Sequence, residues 1–150
     1  MTPEILVGIG TIVISVLTVV GIIVAPIIAL KVQRKADEDR EWKNRKLWIF
    51  KTLMSNRSTR LNPAFVQALN MIDIEFTAPP EKGIQDAWKK LLDHYNDWGG
   101  KTPEQRKVDE DRDFETATNL LAELLLKMGK QLGYDFDKLY VKKACTFRKA

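Results

Sequence analysis

From Ile5 to Leu30 the chain runs "ILVGIGTIVISVLTVVGIIVAPIIAL", twenty-six positions without a charge, and few folds can absorb such a stretch. As a helix it reaches about 39 Å, more than the roughly 30 Å of hydrocarbon in a bilayer. A secretory signal is shorter, opens on basic residues and ends at a small-residue cleavage site. This chain opens on "MTPE", with no Lys or Arg ahead of the apolar run. Pro26 is tolerable near the end of a span, where neighbours satisfy the carbonyl it frees. The sequence therefore predicts a membrane anchor over residues 5–30, preceded by a short extracytoplasmic N-terminus at 1–4.

Charge fixes the expected orientation. Residues 1–30 hold one acid, Glu4, and no base; residues 31–60 hold ten Lys/Arg against four Asp/Glu; residues 61–150 hold fourteen against fifteen. The excess positive charge thus lies in residues 31–60, at +6, beginning with "KVQRKADEDREWKNRK" directly after the apolar run. Excess Lys and Arg stay cytoplasmic, so the reading is a single-pass inner-membrane protein with its C-terminal part in the cytoplasm. Attraction to anionic headgroups accounts for these bases without a nucleic-acid groove, so no DNA partner is expected. The single cysteine, Cys145, offers no disulfide framework.

Within the span, Gly8, Thr11, Ser15, Thr18, Ile22 and Ala25 follow a 3-4-3-4-3 spacing, and Gly21 with Ala25 makes a small-xxx-small pair. Helices in lipid associate through such close-packing faces. Gly8, Thr11, Ser15, Thr18, Gly21 and Ala25 are therefore the predicted surface of a homo-oligomer.

The rest reads as mainly α: a basic stalk over 31–46, then a small helical domain over 47–150 with a short C-terminal strand or extended tail. "KLWIFKTLM" puts Leu47, Phe50 and Met54 on one side. "SNRSTR" interrupts the pattern, and Asn62 followed by Pro63 starts a helix. "AFVQALNMIDIEF" places Phe65, Leu69, Ile72 and Phe76 at helical spacing. "TAPPEKG" reads as a loop, Ile84 to Tyr95 as an amphipathic helix closed by Gly99 and Gly100, and "KTPEQRKVDEDRD" as a charged, mobile link. Leu120, Leu121, Leu124, Leu125 and Met128 carry the next helix, capped by Gly133. "YDFDKLYVKKACTF" alternates as a strand does.

Catalytic chemistry finds little support. His94 is the only histidine, and Asp73 and Glu75 stand two apart, pointing different ways on a helix. There is no phosphate-binding loop, no dinucleotide fingerprint and no paired-cysteine motif, so neither enzyme activity nor a cofactor or metal is expected. One polar cluster stands out. Ser55, Asn56, Arg57, Ser58, Thr59, Arg60 and Asn62 bring two guanidinium groups beside hydroxyls and amides, which suits a phosphate-bearing anion. Lys142, Lys143, Arg148 and Lys149 in the basic tail are candidates to complete that site.

The blocks "RKLWIFKTLMSNRSTRLNPAFVQALNMIDIEF", "AWKKLLDHYN" and "LGYDFDKLYVKK" resemble a family of small bacterial proteins with one N-terminal span and a cytosolic domain of unknown function. The organisation is also similar to membrane-associated accessory effectors of type III CRISPR immunity. There a short membrane segment is joined to a small domain that binds cyclic tetra-adenylate as an oligomer. That second likeness rests on architecture, size and the basic turn. It implies a ligand-triggered antiviral effector, tetrameric as the candidate assembly, with a cyclic nucleotide as partner besides the lipid bilayer. A non-catalytic scaffold is the other reading; it recruits a protein through Trp42, Trp48 or Trp98.

Overall fold

The computed structural model describes the backbone of residues 3–146, and the side chains of these except at 4–7, 9–21 and 23. Six α-helices follow in order: α1 (Pro3–Ser55), α2 (Pro63–Asn70), α3 (Ile72–Glu75), α4 (Lys82–Gly100), α5 (Pro103–Gln131) and α6 (Lys138–Cys145), with a 3-10 turn at Pro79–Glu81. No strand occurs among the described residues. The chain divides into two compact units, Met1–Glu41 and Trp42–Ala150. The sequence places the start of the helical domain five residues later, at Leu47.

In the first unit the backbone is helical, and Pro26 lies inside the helix. Among the described residues no helix is long and apolar enough to cross a membrane. Most side chains of the apolar run lie outside that description, as do those of Thr11, Ser15, Thr18 and Gly21. Gly8 and Ala25, at the two ends of the expected association face, are exposed.

The second unit is built around α4 and α5, with α6 laid against α5 and the end of α1 completing the core. Ile49, Phe50 and Leu53 of α1 are buried together with Phe65 and Leu69 of α2, Ile72, Phe76, and Leu91 of α4. Leu121, Leu124, Leu125 and Met128 of α5 and Val141 of α6 close the cluster. Burying one such side chain contributes about 1.5–3 kcal/mol. Leu47 and Met54 lie at the edge of this core, so the deepest contacts of α1 come from Ile49 and Leu53, which flank the expected stripe.

Helix starts follow local chemistry. The Asn62 side chain accepts from the Ala64 N–H at 2.9 Å, and Pro63 takes the first helical position. Gly133 has φ +86°, and the Tyr134 and Gly133 N–H groups donate to the carbonyls of Gly129 and Lys130. These two bonds form a Schellman closure that needs a left-handed residue at Gly133.

Three expectations are corrected. The C-terminal strand is helix α6, because the Asp137 carboxylate accepts from the Tyr140 N–H at 2.9 Å and so starts a helix where alternation suggested a strand. "KTPEQRKVDEDRD" is the first part of α5: Thr102 and Gln105 form a reciprocal capping box around Pro103. "TAPPEKG" is ordered by Glu81, whose carboxylate accepts from the Ala78 N–H at 3.1 Å, and Gly83 already belongs to α4.

Candidate functional site

The turn between α1 and α2 carries the expected cluster, and most of its side chains serve the turn itself. Asn56 Nδ2 donates to the Thr52 carbonyl at 2.9 Å, and Asn62 Nδ2 donates to Asn56 Oδ1 at 2.9 Å. Thr59 Oγ1 donates to the Asn56 carbonyl at 3.3 Å, and Ser55 Oγ to the Thr52 carbonyl at 3.1 Å. Ser55, Asn56, Thr59 and Asn62, expected to line a ligand, thus bond within the turn.

The two arginines behave differently from each other. Arg57 donates from Nη1 to the Met54 carbonyl and lines a shallow groove of about 440 Å³ with Lys51, Tyr134 and Phe136. In that groove the rings of Phe50, Tyr134 and Phe136 meet pairwise at 5.6–5.9 Å. Arg60 turns to α5 and α6. Its Nη2 donates to Thr118 Oγ1 and reaches the Cys145 carbonyl at 3.4 Å, and its guanidinium lies 4.8 Å from the Phe114 ring centre. The Nε atoms of both arginines are buried without a hydrogen-bond partner among the described residues. Neither arginine has a carboxylate partner among those residues, whereas Lys46, Lys101, Lys127 and Lys142 each have one.

Arg60 lines a cavity of about 480 Å³ with His94, Tyr95, Trp98, Asp113 and Phe114. Arg60, Leu61 and Tyr95 also line a second, more apolar space of about 270 Å³ beside α2. Leu61, 95 % exposed, is common to both linings. The Tyr95 hydroxyl is buried beside the Arg60 guanidinium, with no hydrogen bond of full geometry among the described residues. Burial raises its pKa above 10.0, partly offset by the charge of Arg60 and by hydrogen bonding from it, so the phenol is neutral at physiological pH. Burial likewise raises the Cys145 thiol above 9.0, against the charges of Arg60 and Arg57. The thiol is protonated and inert as a nucleophile at neutral pH.

Asp113 is neutralised by Lys101, whose ammonium also reaches Asp109, at 2.7 and 3.0 Å respectively. His94 is half-buried, its Nε2 3.1 Å from the Asp113 carbonyl. Asp73 accepts from Trp88 Nε1 at 3.0 Å and Glu75 from Arg45 at 3.0 Å, so these two carboxylates serve separate partners. Among the described residues no group of acidic, histidine or cysteine side chains is arranged to hold a metal ion.

The structure therefore separates the predicted site. Arg57 with Ser55, and Arg60 with Ser58, open on different cavities. Lys142 is drawn to Glu115 at 3.4 Å, and Lys143 is exposed; Arg148 and Lys149 lie outside the described residues. Sequence reasoning gave Tyr95, Phe114 and Thr118 no place in a site, and read Trp98 as an anchor for a protein partner. The legible hint was a pair of aromatics three positions apart near the end of α4, each with a polar tip that asks for a partner.

No curated protein and no solved structure matches this chain. A family profile does, over residues 11–147, which takes in the apolar run from Thr11 onward, the arginine turn and all the helices that enclose the cavity. The chain belongs to DUF6680, a family of unknown function.

Proposed function

We propose that the protein is a membrane-anchored, oligomeric, non-catalytic effector triggered by an anionic ligand that binds the cytoplasmic helical unit at Arg60. The observation that carries this reading is electrostatic. Arg60 is half-buried, bonded only to neutral oxygens, and set on the wall of a cavity with aromatic sides. A buried cation without a counter-charge is costly unless something neutralises it, and a ligand anion supplies that charge. The uncharged run Ile5–Leu30 and the ten bases that follow it in residues 31–60 support an inner-membrane anchor with the helical unit in the cytoplasm.

The ligand is a nucleotide second messenger, with cyclic tetra-adenylate as the candidate, and the setting is antiviral defence. A cyclic, symmetric ligand suits a symmetric assembly, a tetramer for a four-unit ring, because each subunit presents the same arginine to one repeat. Association of the spans through the Gly8, Thr11, Ser15, Thr18, Gly21 and Ala25 face then couples ligand to membrane. The ligand shifts that assembly only by its differential affinity for the two states.

The test is equilibrium binding of a cyclic oligonucleotide panel to the full chain in detergent, with particle mass read alongside. Selective binding that is lost in a folded Arg57→Ala/Arg60→Ala variant supports the proposal. Unchanged affinity in that variant defeats it.

A second reading rests on a different face. Trp42 and Trp48 are 39 % and 49 % exposed, and Trp48, Ile49 and Met71 line an apolar groove of about 340 Å³. Large exposed aromatics beside a groove are typical anchors for a protein partner. A scaffold of this kind predicts a partner whose capture is abolished by Trp48→Ala and untouched by the arginine changes.

A further inference from the structure

We infer that the cavity beside Arg60 reads the ring of the ligand as well as its charge: its occupant is a planar aromatic anion of the nucleotide class, one per subunit, with the anionic group on Arg60 and the ring between Tyr95, Trp98 and Phe114. This rests on the anionic-ligand reading above and deepens it at the same site. Three features converge. The volume, about 480 Å³, falls in the range of small-molecule sites and far exceeds the needs of a single inorganic anion. Three of the lining side chains are aromatic, drawn from α4 and α5. Beside the cavity the Arg60 guanidinium and the Tyr95 hydroxyl lie against each other, close enough for Arg60 to act on the phenol by hydrogen bonding as well as by charge. Neither Tyr95 Oη nor Arg60 Nε makes a hydrogen bond of full geometry among the described residues, so the pair is free to adjust to an occupant.

The chemistry orients the occupant. Tyr95 Oη both donates and accepts, which matches the ring nitrogens and carbonyls of a heterocycle. The guanidinium offers five donors in a planar fork, of which Nη2 is already committed to Thr118 and Cys145. Nε is buried, which leaves Nη1 as the nitrogen for the anion. Two carboxylates also line the wall, and one of them, Asp113, is paired with Lys101. An extended single strand is disfavoured as occupant. Strand-binding surfaces present long grooves with a succession of stacking rings, and this cavity offers three, drawn from two helices.

The experiment measures binding of inorganic phosphate, adenosine and the common ribonucleoside monophosphates to the full chain in detergent. Wild type, Tyr95→Phe and Arg60→Ala are compared, each with its melting temperature. At least one monophosphate is expected to bind about tenfold or more tighter than phosphate or adenosine, the scale of one base stacked on an aromatic side chain. Tyr95→Phe removes one hydrogen bond, and is expected to weaken that monophosphate about three- to tenfold while leaving phosphate unchanged. Equal binding of phosphate and every monophosphate, lost in Arg60→Ala, overturns the ring inference and leaves the anion site standing. Binding of no anion to folded wild-type protein overturns both.

Discussion

Lys46 and Arg60 each bring a cation into the helical unit, one from the last turns of α1 and one from the turn that follows it. Lys46 meets the Glu81 carboxylate and lies 4.3 Å from the Trp42 ring centre; both partners of that ion pair are nearly inaccessible. Glu81 has a second task, accepting from the Ala78 N–H. Arg60 meets a hydroxyl, a carbonyl and a ring, none of which carries charge. The first arrangement is electrically closed and holds the fold. The second satisfies geometry through neutral acceptors, with no carboxylate at ion-pair distance from Arg60 among the described residues, and on the proposed reading that difference separates a binding site from a structural brace.

The comparison breaks first at Glu81. Replacing it with Ala strands the Lys46 ammonium and is expected to cost about 3–5 kcal/mol in chemical denaturation. A Lys46→Met/Glu81→Leu pair should recover most of that loss, since an apolar pair of similar volume tolerates the same burial. A Glu81→Ala cost no larger than that of a surface substitution would show that this ion pair is not closed at all.

Arg60→Ala comes next. It removes charged hydrogen bonds to neutral acceptors and is expected to cost about 1.5–3 kcal/mol without ligand, while abolishing anion binding. Should its stability cost match that of Glu81→Ala with anion affinity intact, Arg60 is a brace like Lys46 and the contrast disappears.

A pH titration sharpens the comparison further. Tyr95 and Cys145 have folded pKa values raised by burial, so their contribution is complete below the unfolded values of 10.0 and 9.0. Above 9.0 the unfolded thiol ionises before the folded one, and stability falls with rising pH. Cys145→Ala should flatten the first part of that alkaline decline in thermal melts, and Tyr95→Phe the later part. At the acid end Asp109, held low chiefly by its hydrogen bond to Lys101, contributes above its ordinary 3.8 and is lost as pH falls through its lower folded value.

The smallest effect belongs to Lys101. Its pairs with Asp109 and Asp113 lie near the surface, so the difference between Lys101→Met and wild type should shrink as salt rises to about 0.5 M. A salt-independent difference would place that network with Lys46.

Much of the fold was legible because its signals are local. Asn62–Pro63, the leucines of α5 and Gly133 announce their elements within a few residues. The same kind of signal was present at Thr102-Pro103-x-Gln105, where the density of charge beyond it suggested mobility. It was present again at Asp137, where an alternating pattern concealed a capping residue. The site was less legible because its contacts are distant: Arg60 and Thr118 are 58 positions apart. Arg57 and Arg60, three positions apart, read as one cluster, yet the turn sends them to separate cavities. Spacing along a helix does not hold where the helix has already ended.

The self-satisfied turn has a kinetic consequence. Asn56, Thr59 and Asn62 fix its backbone before any ligand arrives, so capture surrenders little conformational entropy. A ligand reaching Arg60 meets a finished surface rather than a loop that must first organise. Stopped-flow association should then be a single exponential whose rate is linear in ligand concentration, and Asn56→Ala, by loosening the turn, should introduce a slower second phase.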